Sequence, residues 1–304
     1  MNVLVTGITG YVGSRLAPRL ERDGHTVRGL SRRPQPPGGK VPIVIGDAVS
    51  GEGLDQAFRD IDIAYFLIHS MEPSLEAPFP ARERKAADNF ARAARAAGVK
   101  RVIYLGGLQP EGSSQSPHLR SRLEVEQILL EAAPCSLALR ASIVIGAGSR
   151  SFRFMVRLVE RMPVLAIPAW RTNRTAPIDE RDMLELLARA ATHDSVCNQV
   201  LDAGGPETVT YGELIDRIRH YMFVGRARIE FKRLIATPIA SRISAAIAGE
   251  DHALIGPLMA SLDGDLLPRD DRAVQLLGVR LHSLDAAIER ALREWEAVEP
   301  LAAR

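Results

Sequence analysis

Residues Met1–Arg22 read MNVLVTGITGYVGSRLAPRLER, and three local patterns follow one another within them. Asn2–Thr6 is a short apolar run with two valines and no helical spacing, the mark of a buried strand. Gly7, Gly10 and Gly13 come next at three-residue intervals. Val12, Leu16 and Leu20 then recur every four residues and lay one apolar stripe along a helix. Such a unit binds phosphate: glycine lets the backbone take positive φ and lets a ligand come close. The helix start offers free N–H groups and the positive end of its dipole to a pyrophosphate. The spacing is Gly-x-x-Gly-x-x-Gly rather than Gly-x-Gly-x-x-Gly. Gly7, Thr9, Gly10, Tyr11, Val12 and Gly13 are therefore the candidate dinucleotide-binding set, against the alternative of a tight turn whose glycines serve packing alone.

Downstream, strands and helices alternate. His25–Leu30, Val41–Ile45, Ile61–Ile68, Arg101–Leu105 and Ser136–Ile145 read as strands, and Gly53–Phe58, Pro80–Ala97 and Ser116–Glu131 as helices. Ser116 is placed to cap the last of these, with Pro117 at its first position. Alternation with apolar strands predicts a parallel α/β sheet covered on both faces, its ligands at the carboxyl ends of the strands. The second half is less regular. Helices are expected over Phe152–Glu160, Ile178–Ala191, Thr210–Met222 and Leu284–Val298, with Glu213 at capping-box spacing from Thr210. Val164–Ile167, Gln199–Ala203 and Arg228–Lys232 read as strands and Trp170–Arg174 as a polar loop. Pro238–Leu262 is helical in character, interrupted at Gly249 and Gly256; core packing is its default, a pocket wall or subunit contact the alternative. With no flexible linker in view, the second half is expected to pack directly on the first.

The 304 residues suffice for one large α/β domain or a large domain with a smaller one. Hydrophobic residues make up 46% and charged residues 25%, an ordinary soluble composition. A formal net charge of +2 argues against a nucleic-acid binder driven by bulk electrostatics. Cys135 and Cys197 read as two isolated thiols, neither a disulfide framework nor a metal site, which fits a reducing cytoplasm. No stretch is long and apolar enough to span a membrane, and a strand at the very start leaves no room for a signal peptide.

The end of the second strand bears on cofactor choice. Sites for NAD place an acid there to hold the ribose hydroxyls. Val27–Lys40 contains no acid; it carries Ser31, Arg32 and Arg33. A hydroxyl and guanidinium groups suit a 2′-phosphate, so NADP(H) is expected over NAD(H); the alternative is a solvated basic loop beside a site that takes either. Asp47 is placed either to accept the adenine amino group or to serve as a turn residue. His69, at the end of the fourth strand, is either a cofactor contact or an ordinary rim residue.

Thr6–Gly13 (TGITGYVG), Gly46-Asp47, Leu67–Met71 (LIHSM) and Val99–Leu105 (VKRVIYL) together resemble the extended and atypical short-chain dehydrogenase/reductases. Leu139–Gly146, Ala176–Ile178 and Asp202–Pro206 also match that pattern. The chain is most similar to the atypical, NmrA-like NAD(P)H-binding branch, which includes accessory NADPH-binding subunits of respiratory complex I. The resemblance covers roughly residues 1–225 and implies a Rossmann-type doubly wound sheet over residues 1–150. Residues 151–304 would then form a smaller substrate-binding portion, some of its elements returning to the main sheet.

Active members of that superfamily use a Tyr-x-x-x-Lys pair on the helix after the fifth strand, with a Ser or Thr before it. Here His118 and Arg122 hold the tyrosine–lysine spacing on one helix face, and Gly106-Gly107-Leu108 stands where the hydroxyl belongs. In an enzymatic reading His118 is a general acid near neutral pH, its pKa lowered by Arg122; in the other it is a first-turn helix residue. Arg122 is expected to contact a ribose or phosphate. Arg140, Ser142, Arg171 and Asn173 are the candidate substrate contacts, suited to a polar or anionic molecule. Two functions follow, and a third, sugar-nucleotide epimerisation, is disfavoured because it relies on that same Tyr, Lys and Ser/Thr trio. One is an NADP(H)-dependent reductase of a small carbonyl, enone or quinone-like substrate. The other is a non-catalytic NADP(H)-binding redox sensor or assembly protein, with a homodimer open for either.

Overall fold

The structure, a computed structural model, describes residues 1–34, 39–68, 79–110, 117–161, 165–167, 169–223, 228–230, 264–299 and 301. The expectations for His69, Ser116 and Pro238–Leu262 lie outside these residues. In chain order the first half runs β1 (Asn2–Thr6), α1 (Tyr11–Arg22), β2 (Thr26–Ser31), β3 (Ile43–Ile45), α2 (Leu54–Ala57), β4 (Ile63–Phe66), α3 (Phe79–Ala96), β5 (Arg101–Gly107), α4 (Pro117–Leu130) and β6 (Cys135–Ala141). It continues with β7 (Val144–Ile145), α5 (Arg150–Arg161), β8 (Leu165–Ile167), a 3-10 turn (Ala169–Thr172), β9 (Arg174–Thr175), β10 (Ile178–Asp179), α6 (Glu180–Ala190) and a second 3-10 turn (Asp194–Val196). The last elements are β11 (Gln199–Ala203), β12 (Val209–Thr210), α7 (Tyr211–Tyr221), β13 (Arg228–Glu230), α8 (Arg272–Leu277) and α9 (Leu284–Glu296).

Seven strands form one parallel sheet in the order β11-β6-β5-β4-β1-β2-β3. The order reverses between β1 and β4, the switch point at which doubly wound sheets bind ligands. Alternation along each strand supplies both faces. Val3, Val5, Ile63, Tyr65 and Ile103 pack with α1 and α6, while Leu4, Ala64, Phe66, Val102 and Tyr104 pack with α2, α3 and α4. The ring of Phe90 on α3 meets Phe58 and Phe66 edge-on, at centroid distances of 5.0 and 5.1 Å.

The second half divides between two cores. Ile178, Met183, Leu186, Leu201, Ala203, Ala273 and Leu277 join the core of the main sheet, so α6, β11 and α8 belong to it. Phe152, Val156, Leu214, Ile218, Ile288 and Trp295 form a separate core from α5, α7 and α9. Most expected boundaries shift by one or two residues, and three differences have a local cause. The strand foreseen over Ser136–Ile145 ends at Ala141: its partner β11 ends at Ala203, whose carbonyl accepts the Ser142 N–H as the last bond between them, and Val144–Ile145 pairs instead with β10. The helix foreseen from Ile178 begins at Glu180, since Asp179 caps it by accepting the Arg181 N–H. The polar loop foreseen at Trp170–Arg174 contains a 3-10 turn whose Trp170 lies buried in the second core. The capping box at Thr210 and Glu213 forms as its spacing predicts.

The two cysteines are not isolated thiols. Cys135 and Cys197 form a disulfide with Cα atoms 4.7 Å apart. They are 62 residues apart in sequence, and only the side-by-side pairing of β6 and β11 brings them together. Among the described residues no helix is long and apolar enough to cross a membrane.

Glu207, between β11 and β12, ties its loop to α7 and α9 of the second core. It accepts the Leu284 N–H at the start of α9 at 3.0 Å and Arg217 Nη1 at 2.8 Å. The backbone N–H first, and then Arg217, hold its carboxyl below the usual carboxylate range against the opposing effect of burial. A folded pKa below the unfolded value of about 4.3 contributes stability that is present above that value and lost as pH falls through the folded pKa. The melting temperature should accordingly drop on acidification below about pH 4.3, and Glu207→Gln should flatten that part of the profile. Identical acid slopes for the two proteins would show that the carboxylate contributes nothing.

Candidate functional site

The carboxyl ends of β1, β2, β4 and β5 meet on one edge of the sheet, and the glycine turn sits at their centre. Gly7 has φ +74°, and a Cβ there would lie 2.8 Å from the Leu67 carbonyl oxygen at the end of β4. A Cβ on Gly13 would lie 2.8 Å from Ile8 Cα, against backbone that cannot yield. These two glycines let the chain fold back tightly from β1 into α1. The Gly10 N–H donates to the Gly7 carbonyl at 2.9 Å, and no side chain caps the helix at Gly10. Thr9 and Gly10 are exposed, Val12 is half-buried and Gly13 is buried. First-turn N–H groups without a side-chain cap are what an anion needs.

Tyr11 belongs to this turn through its backbone only. Its ring lies against Gly146 and Gly148, and its hydroxyl donates to the Glu180 carboxylate on α6. Burial, and after it the charge of Glu180, push the phenol above its ordinary range. Arg15, one turn on, donates to Glu180 at 2.6 Å and pairs with Glu294 on α9. The binding helix is thus bolted to an element of each core, α6 and α9.

At the end of β2, Ser31 is buried, and its hydroxyl accepts the Arg33 N–H at 3.1 Å. Arg32 and Arg33 are exposed there. Asp47, after β3, uses one carboxylate oxygen to accept the Val49 N–H at 2.7 Å, the turn role foreseen for it as one of two.

Across the switch point, α4 carries His118 at its second position, one turn before Arg122; the His118 side chain lies outside the described residues. Arg122 is 8% exposed. Its Nη2 donates to the Leu105 carbonyl at 2.6 Å, its Nη1 to Glu83 at 3.4 Å, and its guanidinium covers the Tyr104 ring at 5.0 Å. Ser121 donates to the other oxygen of Glu83 at 3.2 Å. The Tyr104 hydroxyl donates to the Arg122 carbonyl at 3.3 Å, and burial raises the phenol pKa. Arg122 is therefore held by α3 and β5 at the sheet edge.

The four residues expected to face a substrate lie in and around β6 and the 3-10 turn Ala169–Thr172. Arg140 is taken up by a bidentate pair with Glu126 on α4, at 2.8 and 2.7 Å. Ser142 is buried, with its hydroxyl 3.1 Å from that of Thr175. Arg171 lies half-buried in the 3-10 turn. Asn173 shapes the backbone, donating its N–H to Trp170 and accepting that of Tyr211, both at 3.0 Å. Sequence reasoning passed over Glu83 and Glu126, although a signal existed: Glu83 falls on the same helical stripe as Ala87, Phe90, Ala91 and Ala94, and a carboxylate on a buried stripe demands a partner. Among the described residues no group of three or more metal-ligating side chains gathers.

The model of the NAD dependent epimerase/dehydratase family matches residues 3–196. A ceramide reductase of Caulobacter vibrioides is 29% identical over 184 residues, 59% of this chain and 57% of that protein, so the match spans little more than half of that relative. A (4-alkanoyl-5-oxo-2,5-dihydrofuran-3-yl)methyl phosphate reductase of Streptomyces griseus is 30% identical over 220 residues, 69% of this chain and 70% of that protein. Among solved structures, the UDP-glucuronic acid 4-epimerase of Bacillus cereus, in complex with UDP-glucuronic acid and NAD, superposes with a TM-score of 0.72 at 16% identity. That superposition covers 98% of this chain and all of the epimerase, and at such identity it speaks for the fold alone. The match over residues 3–196 and the glycine turn it contains assign this chain to the NAD-dependent epimerase/dehydratase family.

Proposed function

We propose that the chain is an NADP(H)-dependent reductase of a small carbonyl, enone or quinone-like substrate, in the atypical, NmrA-like branch of the short-chain dehydrogenase/reductases. One observation carries the reading: the glycine turn, packed too tightly at Gly7 and Gly13 to admit a side chain, lies beside a β2 terminus that presents Ser31, Arg32 and Arg33 and no acid. The uncapped start of α1 fits a pyrophosphate, and the basic terminus fits a 2′-phosphate. Both relatives named above are reductases by name, which supports reduction over epimerisation. When bound, the nicotinamide cofactor supplies the hydride. The protein's part is to hold it and the substrate at the sheet edge, with Arg122 fixed there and His118 one turn away as the proton donor.

NADPH oxidation against a panel of aldehydes, enones and quinones tests the reductase reading. Turnover with at least one class is expected, and His118→Ala should lower it by about 100-fold or more if the imidazole delivers the proton. Tight NADPH binding with no turnover across the panel would favour the sensor or assembly role instead. Replacing Arg32 and Arg33 together by alanine should weaken NADPH binding by about 10- to 100-fold, each arginine losing a charge-assisted hydrogen bond, and leave NADH binding unchanged. Equal losses for both cofactors would remove the 2′-phosphate from the account.

A further inference from the structure

The Cys135–Cys197 disulfide lies at the amino edge of the sheet, opposite the glycine turn, and the function proposed above makes no use of it. Its two sulfurs have unequal surroundings. Arg101, buried at the start of β5, directs Nη2 to Cys197 Sγ at 3.5 Å. The same guanidinium is fixed by the Ala190 carbonyl at 2.8 Å, the His193 carbonyl at 3.2 Å and the Asp194 carboxylate at 2.7 Å. On the other side, the Cys135 backbone N–H donates to the Lys100 carbonyl at 3.2 Å, and the Lys100 ammonium turns away to Asp62. A fixed N–H donor lowers the pKa of a thiol, and the sulfur of lower pKa is the better leaving group in thiol–disulfide exchange. Asp194 offsets part of the charge of Arg101, but its side chain is 96% exposed and screened by water, whereas the N–H of Arg101 remains directed at sulfur.

Hydrogen bonds join the same two segments beside this link. Asn198 makes them: its Oδ1 accepts the Ser136 N–H and its Nδ2 donates to the Pro134 carbonyl, both at 3.0 Å. Pairing of β6 with β11 then runs from Leu137–Gln199 to Ala141–Ala203. Both cysteines are partly exposed, within reach of a small thiol.

We propose that Cys135–Cys197 is a thiol-modification site of defined polarity, at which a low-molecular-weight thiol of the glutathione class attaches to Cys135 while Cys197 departs as a thiolate held by Arg101. The thiolate of the incoming molecule bonds to Cys135 Sγ as the Cys135–Cys197 bond breaks, and the electron pair of that bond goes to Cys197. A second thiolate then attacks the mixed disulfide. This releases Cys135 as a thiol and the incoming thiol as its own disulfide, so the protein gains the two electrons that the thiol loses.

The folded protein is exposed to glutathione at neutral pH, quenched with an alkylating agent, and its peptides are weighed. Chains with glutathione on Cys135 and alkyl on Cys197 should outnumber the reverse by roughly threefold or more, because the sulfur that leaves more readily departs more often. Arg101→Gln should bring the ratio to about one, and Arg101→Lys, which keeps a donor, should retain part of the preference. Should Arg101→Gln fail to fold, the partition in the unaltered protein decides alone. An even or reversed partition overturns the proposal. So does a folded protein that takes no glutathione while its urea-unfolded form does.

Discussion

Gly13→Ala is expected to lose dinucleotide binding by about 100-fold or more, and folding stability by about 1–3 kcal/mol. The added methyl would sit 2.8 Å from Ile8 Cα and press on the Gly7 carbonyl, and both neighbours are backbone. Relief requires α1 to move away from the turn, which spreads the N–H groups that a pyrophosphate would accept from. Gly7→Ala should behave alike, because it combines φ +74° with a Leu67 carbonyl oxygen 2.8 Å away. Gly98→Ala is the control. That residue also has positive φ, +67°, yet nothing lies within 4 Å of its would-be Cβ, at the far end of α3. It should cost only about 1 kcal/mol of stability and leave binding untouched. Calorimetric NADPH titration and thermal melts of the three variants separate these outcomes. Near-normal affinity in Gly13→Ala would mean that the turn is a packing device only.

Glu126→Ala is expected to destabilise the fold by about 3–5 kcal/mol, a fall in melting temperature on the order of 10 °C. Both oxygens of Glu126 receive Arg140, the two side chains are 4% and 12% exposed, and removing the acid strands a buried guanidinium. A double replacement, Glu126→Met with Arg140→Leu, should recover much of the loss, since no charge is then left without a partner. The same pair revises the reading of Arg140 as a substrate contact: Arg140→Leu should lower the melting temperature before it alters KM. An unchanged melting temperature with a raised KM would return Arg140 to the substrate.

What the sequence disclosed follows its physics. The strands of the main sheet were legible because Asn2–Thr6 and Ile63–Phe66 are apolar on both faces, and a doubly covered sheet requires that. The turn was legible because Gly7 and Gly13 each answer a local steric demand. The Thr210–Glu213 capping box was legible for the same reason, being complete within four residues. Features that depend on distant partners were not. Cys135 meets Cys197 only through the β6–β11 pairing, and nothing in the spacing marks that pairing. Arg122 meets Glu83 and Arg140 meets Glu126 from other elements, pairings that the residue spacing does not mark. Tyr11, taken as a cofactor contact, turns its side chain to Glu180, 169 residues away.

The central claim, a glycine-turn site that prefers the phosphorylated dinucleotide, is tested most directly by calorimetric titration of the intact protein with NADPH and, separately, NADH. The account predicts one site per chain and at least about tenfold tighter binding of NADPH, the effect of one charge-assisted contact to the 2′-phosphate. Equal affinities, or tighter binding of NADH, would contradict it.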